Sequence, residues 1–261
     1  MRLIVLGCSG SVPGPGSPAS GYLVDTGHER LVLDLGNGTL GALQRHLDPW
    51  QLDAVAFSHL HPDHCADFAS LVVHRRYHPR PPNDPTTRPL PVHAPAEAPD
   101  RFAAAYAPSA DERSKTDLTD VFAFHPLVDG SRAGVGAATL TARRVDHLCE
   151  AYALRVDAGG RSLVYSGDTG PSAALVELAR GADVLLCEAT WPHVSDEWEE
   201  PPPGVHLSGR QAGEHATAAG VGRLLLTHVA PWHEGATLLA EARAAFAGPV
   251  ELVAPDAQYA V

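Results

Sequence analysis

The run Ser58-His59-Leu60-His61-Pro62-Asp63-His64 constrains this chain more than any other segment, because three imidazoles and a carboxylate fall within six residues directly after an apolar stretch. Asp53-Ala54-Val55-Ala56-Phe57 reads as a short buried strand, and Pro62 breaks the chain before a helical pattern over Asp63 to Val73. The donors therefore sit on a strand-to-helix turn, with enough ligand for two metal ions. Imidazole nitrogen and carboxylate oxygen suit zinc, manganese or iron, and so dense a set needs distant partners to close the coordination shell.

Four other segments supply such partners. His147 follows the strand-like Ala138 to Val145, Asp168 lies in Tyr165-Ser166-Gly167-Asp168-Thr169-Gly170, and His228 ends Leu224-Leu225-Leu226-Thr227-His228. Asp34 stands in Leu31-Val32-Leu33-Asp34-Leu35-Gly36. Each polar residue closes an apolar run, which places it where a strand gives way to a loop.

With 261 residues and 44% hydrophobic content the chain can bury a sizeable core, and no linker divides it, so residues 1–261 read as one domain. The Pro-rich stretch from Pro79 to Pro99 reads as a long surface loop, and Glu197 to Val205 as a second. Cys8, Cys65, Cys149 and Cys187 form no C-x-x-C pair and read as small buried hydrophobes of a reduced cytosol. No stretch reaches the length of a signal h-region or a membrane-spanning helix, so a cytoplasmic location without membrane attachment is expected. The net charge of −12 opposes nonspecific attraction to a polyanion, even after two divalent cations are added.

Strands are expected at Arg2–Leu6, Ser20–Asp25 and Leu31–Leu35 as an opening meander, with a hairpin of Ala151–Val156 and Ser162–Ser166 turned by Gly159-Gly160. Helical periodicity covers Ala173–Ala179, Gly209–Ala219 and Leu238–Phe246, each followed by a glycine in the stop position. The Gly7-Cys8-Ser9-Gly10-Ser11 loop lacks the lysine of a P-loop and the spacing of a dinucleotide fingerprint, and reads as a tight connection at the site rim.

Asp34, the H-x-H-x-D-H cluster, His147, Asp168 and His228 follow one another as in the metallo-β-lactamase superfamily, which the chain resembles over nearly its whole length. Cys187-Glu188-Ala189-Thr190, His206-Leu207-Ser208 and the terminal Leu-Thr-His make it similar to the ribonuclease Z branch and the short phosphodiesterases related to it. The resemblance implies an α/β fold, the αββα four-layer sandwich of two mixed sheets with helices outside. It assigns His59, His61 and His147 to one divalent metal, Asp63, His64 and His228 to a second, and Asp168 to both. Zinc is the first expectation and manganese the next. Asp34 corresponds to the carboxylate that orients the histidine loop.

Individual positions narrow the chemistry that the resemblance allows. Flavin-linked di-iron members carry glutamate where this chain has His61, and secreted β-lactamases usually replace the bridging aspartate. Thioesterase and β-CASP branches carry an added domain. Phosphodiester hydrolysis by a metal-activated water is therefore the leading expectation, with Asp63 serving the water and the His206–Glu188 pair protonating the leaving alkoxide. The transfer-RNA-processing members insert a long basic arm between the positions of His147 and Asp168, where this chain has twenty residues. A small phosphodiester, cyclic AMP first, is thus expected over nucleic acid. A ribonuclease Z-type endonuclease and a lactone or thioester hydrolase are the alternatives, and a homodimer stays open. Arg75-Arg76-Tyr77-His78 reads first as a solvated helix end and second as a contact to a phosphate or base, Arg75, Arg76 and Arg80 could form a local basic patch, and Trp232 and His233 are further candidates for ligand contact.

Overall fold

The computed structural model describes residues 1–195 and 202–261. Short apolar runs punctuated by glycine and proline become β1 (Arg2–Gly7), β2 (Gly21–Asp25), β3 (Arg30–Leu35), β4 (Ala54–Ala56), β5 (Leu90–Ala94) and β6 (Phe122–Pro126). There follow β7 (Arg132–Val135), β8 (Ala138–Arg144), β9 (Tyr152–Ala158), β10 (Arg161–Tyr165), β11 (Val184–Glu188), β12 (Arg223–Thr227), β13 (Val250–Leu252) and β14 (Gln258–Ala260). The helices are α1 (Thr39–Leu43), α2 (Pro62–Cys65), α3 (Phe68–Tyr77), α4 (Ala98–Tyr106), α5 (Ala110–Arg113), α6 (Ala173–Ala179), α7 (Gly209–Ala219) and α8 (Gly235–Ala245).

The strands form two seven-stranded mixed sheets, ordered β14-β1-β2-β3-β4-β5-β6 and β13-β12-β11-β10-β9-β8-β7. Their inner faces share one core, in which Leu3, Tyr22 and Leu33 of the first sheet meet Leu154, Tyr165 and Leu186 of the second. Each such side chain contributes roughly 1.5–3 kcal/mol by leaving water. The outer face of the first sheet packs on α1, α3 and α4 through Phe57, Phe68 and Phe102, with Phe68 stacked on Phe102 at 4.0 Å. On the second sheet α6, α7 and α8 cover Val164, Leu185 and Leu224. This is the αββα sandwich, and in both sheets the parallel strands end at the same edge. No helix among the described residues is long and apolar enough to cross a membrane.

Local signals account for most element boundaries. The β1–β2–β3 meander and the β9–β10 hairpin pair antiparallel as expected, the latter turned by Gly159 and Gly160 at φ of 57° and 74°. A capping box starts α7, where the Ser208 hydroxyl accepts from Gln211 N–H and the Gln211 side chain accepts from Ser208 N–H; Gly220 closes it at φ 63°.

Several expectations need correction. The Pro79–Pro99 stretch is not all loop, since β5 lies inside it, buried and paired in parallel with both β4 and β6. Pro89 and Pro91 disguise it, because proline is rarely found in a central strand. The helical pattern of Asp63–Val73 breaks into α2 and α3, which runs on to Tyr77. At the break, Asp67 N–H donates to Leu35 C=O and its carboxylate accepts from Leu40 N–H, diverting that residue from the helix ladder. Helix α8 starts at Gly235 rather than Leu238, and Phe246 ends it in an extended conformation with no glycine cap. Of the expected second loop, residues 197–201 lie outside the described residues.

The turn after β3 is crowded. A Cβ on Gly36 would overlap the Asp63 carbonyl oxygen, and Asp63 C=O also accepts from Ser20 N–H. Gly36→Ala is therefore expected to push α2 off the sheet edge and destabilise the protein by about 1–3 kcal/mol, read as a lower urea midpoint.

Candidate dinuclear metal centre

At the shared edge, β3, β4, β8, β10, β11 and β12 each deliver polar side chains. Pro62 takes the first turn of α2 without losing a bond, and Asp63 and His64 follow it inward, 7% and 0% exposed. His147 comes from the segment after β8, Asp168 from the turn after β10, Glu188 from the last position of β11 and His228 from just beyond β12. His228 holds φ 57°, a left-handed conformation unusual for a residue with a side chain. Gly10 of the first loop lies directly against it, with no room for a Cβ, and donates its N–H to Val229 C=O. The expected rim position of that loop is thereby found, and the Ser9 hydroxyl braces it by donating to Val12 C=O.

The hydrogen-bond partners fix which ring nitrogen of each imidazole faces inward. Asp34, fully buried, accepts from Ser58 N–H at one oxygen and from the Ser58 hydroxyl, His64 Nδ1–H and the Tyr165 hydroxyl at the other, all within 2.7–2.8 Å. Because the Ser58 proton goes to Asp34, the Ser58 oxygen accepts from His59 Nδ1–H at 3.0 Å. By the same logic the Thr190 hydroxyl donates to Glu188 and accepts from His228 Nδ1–H at 2.8 Å. His147 Nδ1–H donates to Val205 C=O at 2.8 Å. In His59, His64, His147 and His228 the Nε2 lone pair is thus left bare and aimed inward.

Those lone pairs converge. His59 Nε2 is 3.0 Å from His61 Nδ1, which is 3.3 Å from His147 Nε2. Zinc–nitrogen bonds of about 2.0–2.1 Å give a tetrahedral edge of ~3.3 Å, so these spacings suit a cation between the rings. Asp63, His64, Asp168 and His228 form a second converging group. Asp168 lies between the two, its Oδ1 at 3.2 and 3.3 Å from His64 and His228 Nε2 and its Oδ2 at 3.7 Å from His59 Nε2. Asp168 Oδ1 is buried without a hydrogen-bond donor, a costly state for a carboxylate oxygen that a cation would relieve. The donor set fits two divalent ions.

His206 stands beside this group with its Nδ1 at 3.2 Å from Glu188. Burial disfavours charge on this imidazole, but the Glu188 carboxylate outweighs burial and lifts its pKa to about 9. Glu188 is itself fully buried and accepts from Thr169 N–H, Leu207 N–H and the Thr190 hydroxyl.

Every sequence-predicted donor is therefore in one place, but three groups were missed. Cys149 lies within 4.8 Å of the donor atoms of His59, His61 and His147, and burial raises its thiol pKa above the usual value. Ser58 and Thr190 set the tautomers of His59 and His228; both lie within segments singled out in the sequence, which was the available signal. Arg75 is neither the solvated helix end expected first nor a contact at the metal centre, because α3 carries it with Arg76 to the opposite end of the sheet. Arg75 is buried against Val121 and Arg88 carbonyls, and Arg76 pairs with Asp120 at 2.7 Å. Trp232 is 64% exposed next to His233, beside a pocket of ≈ 300 Å³ between the loops that flank His228.

The beta-lactamase superfamily domain matches residues 22–229. The uncharacterized protein Rv1339 of Mycobacterium tuberculosis is 48% identical, covering 100% of this chain and 92% of that one. The probable metallo-hydrolase YhfI of Bacillus subtilis is 29% identical over 97% of this chain and 96% of its own, and ribonuclease Z of Myxococcus xanthus 28% over 97% and 95%. The crystal structure of YhfI superposes with a TM-score of 0.82 at 25% identity, covering 99% of this chain and 98% of that one. Human tRNase Z, short form, has the same fold, with a TM-score of 0.76 at 20% identity over 100% and 99%. With its superfamily's two-sheet fold and a divalent-metal donor cluster at the sheet edge, the chain belongs to the metallo-β-lactamase superfamily and is a metal-dependent hydrolase.

Proposed function

We propose that this hydrolase is a dinuclear phosphodiesterase acting on small phosphodiesters, with 3′,5′-cyclic nucleotides such as cyclic AMP as first candidates. The observation that carries the reading is Asp168, one oxygen toward each donor group, with the His206–Glu188 pair beside it. In this reading His59, His61 and His147 hold one ion, Asp63, His64 and His228 the other, and Asp168 joins them. Zinc suits the mixed nitrogen and oxygen donors, and manganese is next. When bound, the ions supply charge to polarise the phosphoryl group and make water nucleophilic near neutrality.

The chain's own groups handle the protons. Asp63 orients the attacking water and takes its proton as the new P–O bond forms; His206 gives a proton to the departing ester oxygen as the old bond breaks, and Glu188 holds the imidazole in place. Substrate size follows from the segment between His147 and Asp168, which β9, β10 and their two-glycine turn use up. That hairpin and the net charge of −12 favour a small anion over a folded RNA. The likeness to ribonuclease Z supports precursor tRNA as a second reading. Donors come from both sheets, so we treat residues 1–261 as one catalytic domain. Four free cysteines fit the cytosol.

Three measurements test this. Elemental analysis is expected to find close to two divalent metals per chain; chelation should abolish activity, and Asp168→Ala should lose the most metal of any single ligand change. A kcat/KM comparison should favour cyclic nucleotides over precursor tRNA, and accurate tRNA 3′ cleavage at the higher efficiency would reverse the ranking. His206→Ala should keep fold and metal while lowering kcat by roughly 10²–10⁴-fold on alkoxide leaving groups, with a smaller loss on nitrophenyl esters, whose leaving group departs unprotonated.

A further inference from the structure

A second cavity, of ≈ 410 Å³, opens at the other end of the first sheet. It is lined where β3, β4 and β5 begin, by Arg30, Asp53 and Leu90, whereas Asp34 stands near the far end of β3 and the histidine cluster follows the far end of β4. Asp53 and Ser58 bracket β4, which separates the two sites by roughly 17 Å at about 3.3 Å per residue.

The lining is built for an anion. Arg30, Arg75 and Arg88 reach it against one carboxylate, Asp53, which already accepts from Arg30 N–H. None of the three guanidiniums has an ion pair among the described residues, although the chain as a whole carries −12. Arg75 is the most telling. It is only 4% exposed, its guanidinium lies 4.6 Å from the Trp50 ring centre, and Nε and Nη2 donate to Val121 and Arg88 carbonyls, with no bond from Nη1. Burying a guanidinium without an anion is costly, and burial together with Arg88 pulls its pKa down to about 10.

Two more polar groups in the lining have no partner. Trp50, 8% exposed, buries an Nε1–H without an acceptor, and Asn83 buries an Oδ1 without a donor. An oxyanion would accept from the indole and the guanidiniums, and a singly protonated phosphate would offer its P–OH to Asn83. The volume exceeds that of phosphate alone and admits the organic part of a small ester.

We propose that this cavity binds a phosphate group, free or carried by a phosphomonoester, independently of the metal centre. The test is calorimetric titration of the metal-loaded protein with inorganic phosphate and with adenosine 5′-monophosphate. The metal centre can also bind phosphate, so Arg88→Gln and Trp50→Phe are compared with wild type and with Asp168→Ala. Arg88→Gln should weaken one binding event by roughly tenfold or more, leaving metal content and turnover unchanged. Asp168→Ala should retain that event. Tighter binding of the monophosphate than of phosphate would point to an ester as the ligand, and equal binding to free phosphate. The proposal is overturned if no phosphate binds, if Arg88→Gln binds as wild type does, or if all binding vanishes in Asp168→Ala. Arg75→Met separates a structural role: a lower Tm with phosphate affinity equal to that of wild type would reduce Arg75 to a brace for the loop before β5.

Discussion

The Asp34 carboxylate is the joint on which the catalytic edge depends. It sits at φ 58°, a conformation that costs energy for any residue with a side chain, and it accepts four hydrogen bonds with no exposure to solvent. Two donors come from Ser58 after β4, one from His64 in α2, and one from Tyr165 of the opposite sheet. A single buried anion therefore sets the loop that carries the histidine cluster and ties the two sheets together at that edge. Such a carboxylate is tolerable in a dry core because both of its oxygens have donors.

From Asp34 the order spreads through single protons. Ser58 passes the constraint to His59, and Glu188 performs the same service for His228 by way of Thr190. Glu188 also accepts from His206, so one buried carboxylate both orients a metal-facing imidazole and holds the group beside the leaving oxygen. The two halves of the molecule thus use the same device: a buried acid, a hydroxyl relay and an imidazole whose free nitrogen points inward. Within this site the oxygen left without a donor, Asp168 Oδ1, lies beside the inward-facing nitrogens of His64 and His228.

Much of this was legible in the sequence because the donors cluster where apolar runs end, and strand ends converge at one edge of a sandwich. The H-x-H-x-D-H run, His147, Asp168 and His228 carried their own spacing. Asp34 was legible as an orienting group, but its link to Tyr165 was not, since it joins residues 131 apart. Strand β5 escaped notice because two prolines mask a run whose stability comes from neighbours on both sides. Arg75 looked like the end of a solvated helix, and only the fold shows it turned inward over Trp50. Cys149 read as filler because one thiol carries no pattern of its own.

Strand β14 has a consequence for how the molecule assembles. It pairs antiparallel with β1, and Arg2 bonds to Gln258 across a separation of 256 residues. During synthesis the first sheet therefore shows an unpaired β1 edge while the entire second sheet is still being made. Contacts of such high order form slowly, and an open edge is a template for strands of other chains. Completion of the first sheet is thus tied to a segment more than 250 residues downstream of β1, made after every strand of the second sheet.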